Sequence, residues 1–171
     1  MEFNFDCALS FALQRLGSPG LRLKPEQVAS ISAVSKGKDV FMWLPTGFGK
    51  SICYETIPFV MDCKLGRVDS ESGKYSCSPS LVLVISPLIS LMVDQVLSLR
   101  QRGVNAAVIS YGSGVKKELL ATEDDLGKCS LLFCAPEALV GSRWREAVED
   151  PLISGRIVAV VVDEAHCVSK W

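Results

Sequence analysis

Apolar residues recur along the 171-residue chain with two different periods. Phe5, Leu9, Leu13 and Leu16 share one helical face and predict a helix over 5–16, ended by Gly17-Ser18-Pro19-Gly20. Val28, Ile31 and Val34 predict a second helix that starts at Pro25 and runs to about Ser35. After the turn Gly37-Lys38-Asp39, the run Val40-Phe41-Met42-Trp43-Leu44 is apolar throughout and reads as a buried strand, with Trp43 in the core. Pro45 to Gly49 is a glycine-containing loop, and Lys50 to about Met61 is expected to be helical.

The stretch 63–80 has no apolar period and reads as an exposed loop, long for a connection inside a compact domain. Leu81-Val82-Leu83-Val84-Ile85 is a continuous apolar strand broken by Ser86-Pro87. Leu88, Leu91, Met92, Val96 and Leu99 then mark an amphipathic helix. Further strands are expected at 105–110, 131–134 and 157–162, with a short helix over 115–122 and a helical stretch over 137–148. Apolar strands without alternation, separated by amphipathic helices, indicate an α/β fold with a parallel sheet covered by helices on both faces.

Composition narrows the classes. Eighteen Lys and Arg stand against nineteen Asp and Glu, a net charge of −1, which excludes a strongly basic coat protein or a polyanionic tail. A local patch that binds nucleic acid stays possible. No apolar run approaches the roughly 18 residues needed to span a bilayer. The acidic opening Met1-Glu2-Phe3-Asn4-Phe5-Asp6 is unlike a secretion signal, so the protein is expected to be neither secreted nor membrane-bound. Seven cysteines without a C-x-x-C pair, and the lone His166, point to scattered reduced thiols rather than a zinc site.

Two segments carry chemistry. Pro45-Thr46-Gly47-Phe48-Gly49-Lys50-Ser51 lies between an expected strand and a helix. Glycines let backbone N–H groups turn around a phosphate, and the helix N-terminus adds its dipole. Lys50 would reach the β- and γ-phosphates and Ser51 would ligand Mg²⁺. Only the second half of the strict P-loop pattern is met, because Leu44 stands where the first glycine belongs. The plain alternative is a strand-to-helix turn with a surface lysine. The second segment, Val160-Val161-Val162-Asp163-Glu164-Ala165-His166, delivers Asp163 to the C-terminal end of a strand. There a carboxylate holds Mg²⁺ and the adjacent Glu164 polarises the attacking water. On its own it is as well explained as a strand ending in two solvated acids.

Together these residues carry a resemblance. Asp163-Glu164-Ala165-His166 spells the DEAH box of superfamily 2 helicases, and Pro45 to Ser51 is similar to their motif I, where a residue other than glycine is tolerated at the Leu44 position. The chain resembles the RecQ family of DNA helicases through Ser51-Ile52-Cys53-Tyr54 after motif I and through Ser86-Pro87-Leu88-Ile89-Ser90-Leu91-Met92-Val93-Asp94-Gln95-Val96, similar to motif Ia. Cys167-Val168-Ser169-Lys170-Trp171 after motif II and Ala135-Pro136-Glu137 add to it. The resemblance covers residues 21–171, with 1–20 as an N-terminal helical extension and 63–80 as a surface insertion.

The resemblance implies a P-loop NTPase fold, the first RecA-like lobe of a helicase core. It implies ATP and Mg²⁺ as cofactors and 3′→5′ movement on single-stranded or forked DNA, in the nucleus of a eukaryote or otherwise in the cytoplasm. Gln27 is similar to the adenine-reading glutamine. Thr46, Gly47, Phe48, Gly49, Lys50 and Ser51 bind the phosphates, Ser51 and Asp163 hold Mg²⁺, Glu164 orients water, and His166 links nucleotide and DNA sites. Ser86, Pro87, Ser90, Gln95 and Trp171 are the expected DNA contacts, by backbone and side-chain groups that bind phosphates without reading sequence. A second lobe, the expected source of an arginine finger, is absent from the chain, so little ATPase and no unwinding are expected of it alone. An RNA helicase lobe and a non-catalytic ATP-binding or interaction module are the alternatives.

Three positions depart from the family. Where an Arg beside an aromatic usually precedes the glutamine, the chain reads Leu21-Arg22-Leu23-Lys24-Pro25-Glu26-Gln27, leaving Arg22 or Lys24 to cover the base. Lys170 replaces a glutamine, and the 63–80 stretch is long.

Overall fold

The computed structural model of the chain describes residues 3–45, 47–69, 71–110, 117–140 and 142–165. The chain divides after Ser80 into two compact units.

In the first unit, α1 (Phe5–Arg15) begins where the Asn4 side-chain oxygen accepts from the Cys7 N–H at 3.0 Å, satisfying one of the helix's unpaired first donors. It buries Ala8, Phe11 and Ala12 and packs on α3 (Lys50–Lys64). Helix α2 (Pro25–Ser35) packs on α3 as well. Between these neighbours, every residue of α3 from Cys53 to Val60 is buried, as expected of a core helix. Pro58 deprives α3 of one backbone donor, and Thr56 turns its hydroxyl inward onto the Ile52 and Cys53 carbonyls at 2.9 and 2.8 Å.

The stretch after α3 is anchored rather than loose. Buried Asp62 accepts the Tyr75 hydroxyl at 2.8 Å and the Ser80 N–H at 2.6 Å. Val68 and Tyr75 pair as an antiparallel bridge, around a turn in which the Asp69 carboxylate accepts from the N–H groups of Glu71 and Ser72. Burial raises the Asp62 pKa above its ordinary value, while the bonds from Ser80 and Tyr75 and the charge of Arg67 pull it back.

Val40–Leu44 is not a strand. Trp43 is 88% exposed and Phe41 81%, so neither lies in a core. Among the described residues no strand pairs with this segment, and without a ladder partner an apolar run has no sheet to bury it.

The second unit is built on a parallel sheet of β1 (Leu81–Ile85), β2 (Ala106–Ile109), β3 (Leu131–Cys134) and β4 (Ile157–Val162), in the order β2-β3-β1-β4. Helix α4 (Ile89–Gln101) crosses from β1 to β2 and packs on β2 and β3. On one face, Leu81, Leu83, Ile109 and Leu132 form a buried cluster with Leu126 of α5 (Glu123–Lys128), Ala138 of α6 (Pro136–Val140) and Trp144 of α7 (Ser142–Glu149). Strands β1, β2 and β3 are buried along both faces, as the unalternating runs predict, whereas edge strand β4 leaves Val160 and Val162 exposed. The single helical stretch expected over 137–148 is two helices, and a third, α8 (Pro151–Ser154), follows under an Asp150 cap. Within 115–122 the described residues form one 3₁₀ turn, Lys117–Leu119. Buried Arg156 enters β4 with its guanidinium donating to the carbonyls of Leu126 and Cys129, which ties down the end of α5.

Candidate functional site

The first unit brings together the residues at the start of α3. Gly47 and Gly49 both adopt left-handed backbone, with φ of 79° and 83°, a region that glycine enters without steric cost. Between them the Phe48 N–H donates to the Pro45 carbonyl at 3.2 Å, closing a turn. Gly49 is the N-cap of α3 and has no side chain to cap it. The chain thus delivers the first N–H groups of a 15-residue buried helix to a glycine turn, a ready anion site. The lysine side chain lies in the same loop: Lys50 Nζ donates to the Leu44 carbonyl at 3.0 Å and to that of Pro45 at 3.4 Å. Ser51 follows on the first turn of α3, half-buried. Glycine turn, helix N-terminus and ammonium together fit a polyphosphate. Thr46 lies outside the described residues.

Gln27 reaches this loop from α2. Its Nε2 donates to the carbonyls of Phe48 at 3.1 Å and Gly49 at 2.9 Å, and its Oε1 accepts from the Lys24 N–H at 2.8 Å. The expected adenine reader therefore has its carboxamide engaged at both ends, on the phosphate loop and on the cap of its own helix. Lys24 is exposed, and its Nζ sits 3.6 Å from the centre of the Phe48 ring and 3.5 Å from the Phe48 carbonyl. Arg22 is exposed. The link from Lys24 to Phe48 escapes sequence reasoning, although Pro25 at the helix start and Gln27 two residues on mark the cap that aims it. Burial pushes the nearby Cys53 thiol up to about 11, which keeps it neutral and unreactive.

The second unit gathers its candidates at the C-terminal ends of its strands. Asp163 directly follows β4, and its N–H donates to the Ile85 carbonyl of β1 at 2.9 Å. The Ser86 N–H donates to the Cys134 carbonyl of β3 at 3.0 Å, so Ser86 and Asp163 leave neighbouring strands side by side. Glu164 has φ of 52°, the one side-chain-bearing residue in left-handed backbone among those described, and its N–H donates to the Asp163 carboxylate at 3.0 Å. Such backbone concentrates at functional sites.

The expected DNA contacts are divided. Ser86 is buried, its hydroxyl without a hydrogen-bond partner among the described residues, because it is enclosed at the sheet end rather than presented from it. Pro87 is half-buried, Ser90 is exposed on the first turn of α4, and Gln95 is half-buried further along. His166 and Trp171 lie outside the described residues, as do Cys167 and Lys170. Among the described residues no helix is long and apolar enough to cross a membrane.

The chain is similar in sequence to known proteins. Residues 24–171 match the family described as DEAD/DEAH box helicase. The chain is 37% identical over 155 residues to the ATP-dependent helicase SGS1 of Saccharomyces cerevisiae, covering 90% of this chain and 10% of that protein. It is 32% identical over 154 residues to the ATP-dependent DNA helicase Q1 of Rattus norvegicus, 88% of this chain and 22% of the relative. To the probable ATP-dependent DNA helicase RecS of Bacillus subtilis it is 32% identical over 148 residues, 86% of this chain and 26% of the relative. The chain thus spans between a tenth and about a quarter of the length of these curated relatives.

Proposed function

From a chain that belongs to the DEAD/DEAH box helicase family, we propose the first RecA-like lobe of a RecQ-type ATP-dependent DNA helicase. Its lobe covers 21–171, with 1–20 as a helical extension and 63–80 as a surface insertion. ATP hydrolysis with Mg²⁺ drives 3′→5′ movement on single-stranded or forked DNA, in the nucleus of a eukaryote or otherwise in the cytoplasm. The observation that carries the reading is the glycine turn opening buried α3 with the Lys50 ammonium folded into it.

Bound ATP supplies the phosphoanhydride to be broken. The chain's own groups do the positioning. Backbone N–H groups at Gly47 to Ser51, with Thr46, bind phosphate oxygens. Lys50 exchanges its two carbonyl partners for phosphate oxygens, which brings its positive charge onto the polyphosphate. Ser51 and Asp163 are the metal ligands, and Glu164 and His166 are the water-orienting and coupling residues. Ser90 and Gln95 of α4, with Pro87 and Trp171, are the DNA contacts, and buried Ser86 acts by holding the start of that segment. Phosphoryl transfer of this kind rests on positioning and electrostatics, and a second lobe brings the remaining charge.

Calorimetric titration of the 171-residue chain with ATP and Mg²⁺ tests the reading. Binding is expected, weakened at least about tenfold by Lys50→Ala, which removes a charge-assisted hydrogen bond. Absent binding, or equal binding by the variant, overturns it. The lone chain is expected to show little turnover. DNA-stimulated hydrolysis at the rate of a complete helicase would contradict the need for a second lobe.

A further inference from the structure

We infer that Lys24 and Phe48 form a clasp that positions the phosphate loop, and that Lys24 acts on a bound nucleotide only through that loop. Phe48 carries the one side chain between two left-handed glycines, so it is the handle by which the turn at 47–49 can be gripped. Lys24 grips it twice, with the ammonium over the ring at 3.6 Å and within 3.5 Å of the Phe48 carbonyl. The same carbonyl accepts from Gln27, whose Oε1 in turn holds the Lys24 N–H. Pro25 disfavours helical backbone at Lys24, which is extended with ψ of 154° as the N-cap of α2. The side chain is thereby aimed from the helix end toward the loop.

The ammonium's place over Phe48 assigns Lys24 a different task from covering a base. With the loop gripped, its glycine turn is already formed when a polyphosphate arrives, and the affinity gained is that of preorganisation. An exposed cation–π contact changes an equilibrium about two- to five-fold, and that is the size of effect expected.

The inference rests on the nucleotide reading above, and its test separates the two. Binding of MgATP and of magnesium tripolyphosphate, which has no base, is measured for the 171-residue chain and for Lys24→Met, Phe48→Leu and the double variant. Both single variants are expected to lose about two- to five-fold for both ligands. The double variant is expected to lose no more than either, and Lys24→Arg, which keeps the cation over the ring, to restore affinity. A loss confined to MgATP would show Lys24 acting on the nucleoside, and additive losses would show two independent residues; either overturns the clasp. Nuclear magnetic resonance without ligand gives the second arm. The Lys24 side-chain methylene next to the ammonium is expected to resonate upfield under the Phe48 ring and to return in Phe48→Leu. No upfield shift overturns the clasp whatever binds. A shift without binding of either ligand leaves the clasp's geometry in place and rejects the nucleotide reading and, with it, the clasp's role in affinity.

Discussion

Gln27 and Gly49 are fitted to each other: the Gln27 Nε2 donates to the Gly49 carbonyl at 2.9 Å, and a methyl group added to Gly49 would stand 3.0 Å from that nitrogen. Gly49→Ala therefore meets both a left-handed backbone and an occupied space. The expected cost is about 1–2 kcal/mol for the backbone, with weakened nucleotide binding as Gln27 is pushed off the loop. Gly37→Ala is the control, since its φ is 77° and no atom lies within 4 Å of an added methyl. Thermal denaturation of both should show the Gly49 variant less stable, and only that variant should lose nucleotide affinity.

Asp62 is the anchor of the segment that follows α3. Asp62→Ala leaves the buried Ser80 N–H without its acceptor and frees the Tyr75 hydroxyl. A loss of about 1–3 kcal/mol is expected, the cost of stranding a buried donor. Tyr75→Phe removes one bond without stranding Asp62's other partner and should cost about 1 kcal/mol. Urea denaturation of the two variants checks the order, and proteolysis of the 65–80 segment should accelerate more in Asp62→Ala.

Arg156 holds two carbonyls at the end of α5 from inside the second unit. Arg156→Met keeps volume and loses both bonds, with an expected cost of about 1–3 kcal/mol. Arg156→Lys should recover little, because a single ammonium cannot reproduce the guanidinium fork. Hydrogen exchange at 126–129 reads the effect locally.

Alkaline pH should weaken the second unit. Burial pushes the thiols of Cys134 and Cys129 up to about 12, from 9.0, with Asp125 adding to the effect at Cys129. A folded pKa above the unfolded one means that the neutral thiol is what folding favours. Its stabilisation is complete below pH 9.0 and is lost as pH rises towards 12. Urea midpoints at about pH 8 and about pH 10.5 should fall, and the fall should flatten in Cys134→Ala.

Three of the four strands of the second unit, β1, β3 and β4, match their expected bounds because their short apolar runs are broken at Ser86-Pro87, Ala135-Pro136 and Asp163, at the C-terminal edge of the sheet. The run at 40–44 has the same composition and failed as a strand, since pairing depends on a partner that no local period records. Glycine spacing made the phosphate loop legible at Gly47 and Gly49. The side chains that grip it were not, because Lys24 and Gln27 lie more than twenty positions upstream and act through distance rather than spacing. The left-handed turn at Glu164 was equally hidden, since glutamate carries no preference for it.

The burial of α3 makes the phosphate loop a lever with one fixed end. Its C-terminal side continues into Cys53–Val60, whose amides should exchange with solvent only when the first unit unfolds. Its N-terminal side continues into the exposed run at 40–44, which no ladder restrains among the described residues. The loop is therefore held from its helix side, where Gly49 caps α3 and Lys50 opens its first turn.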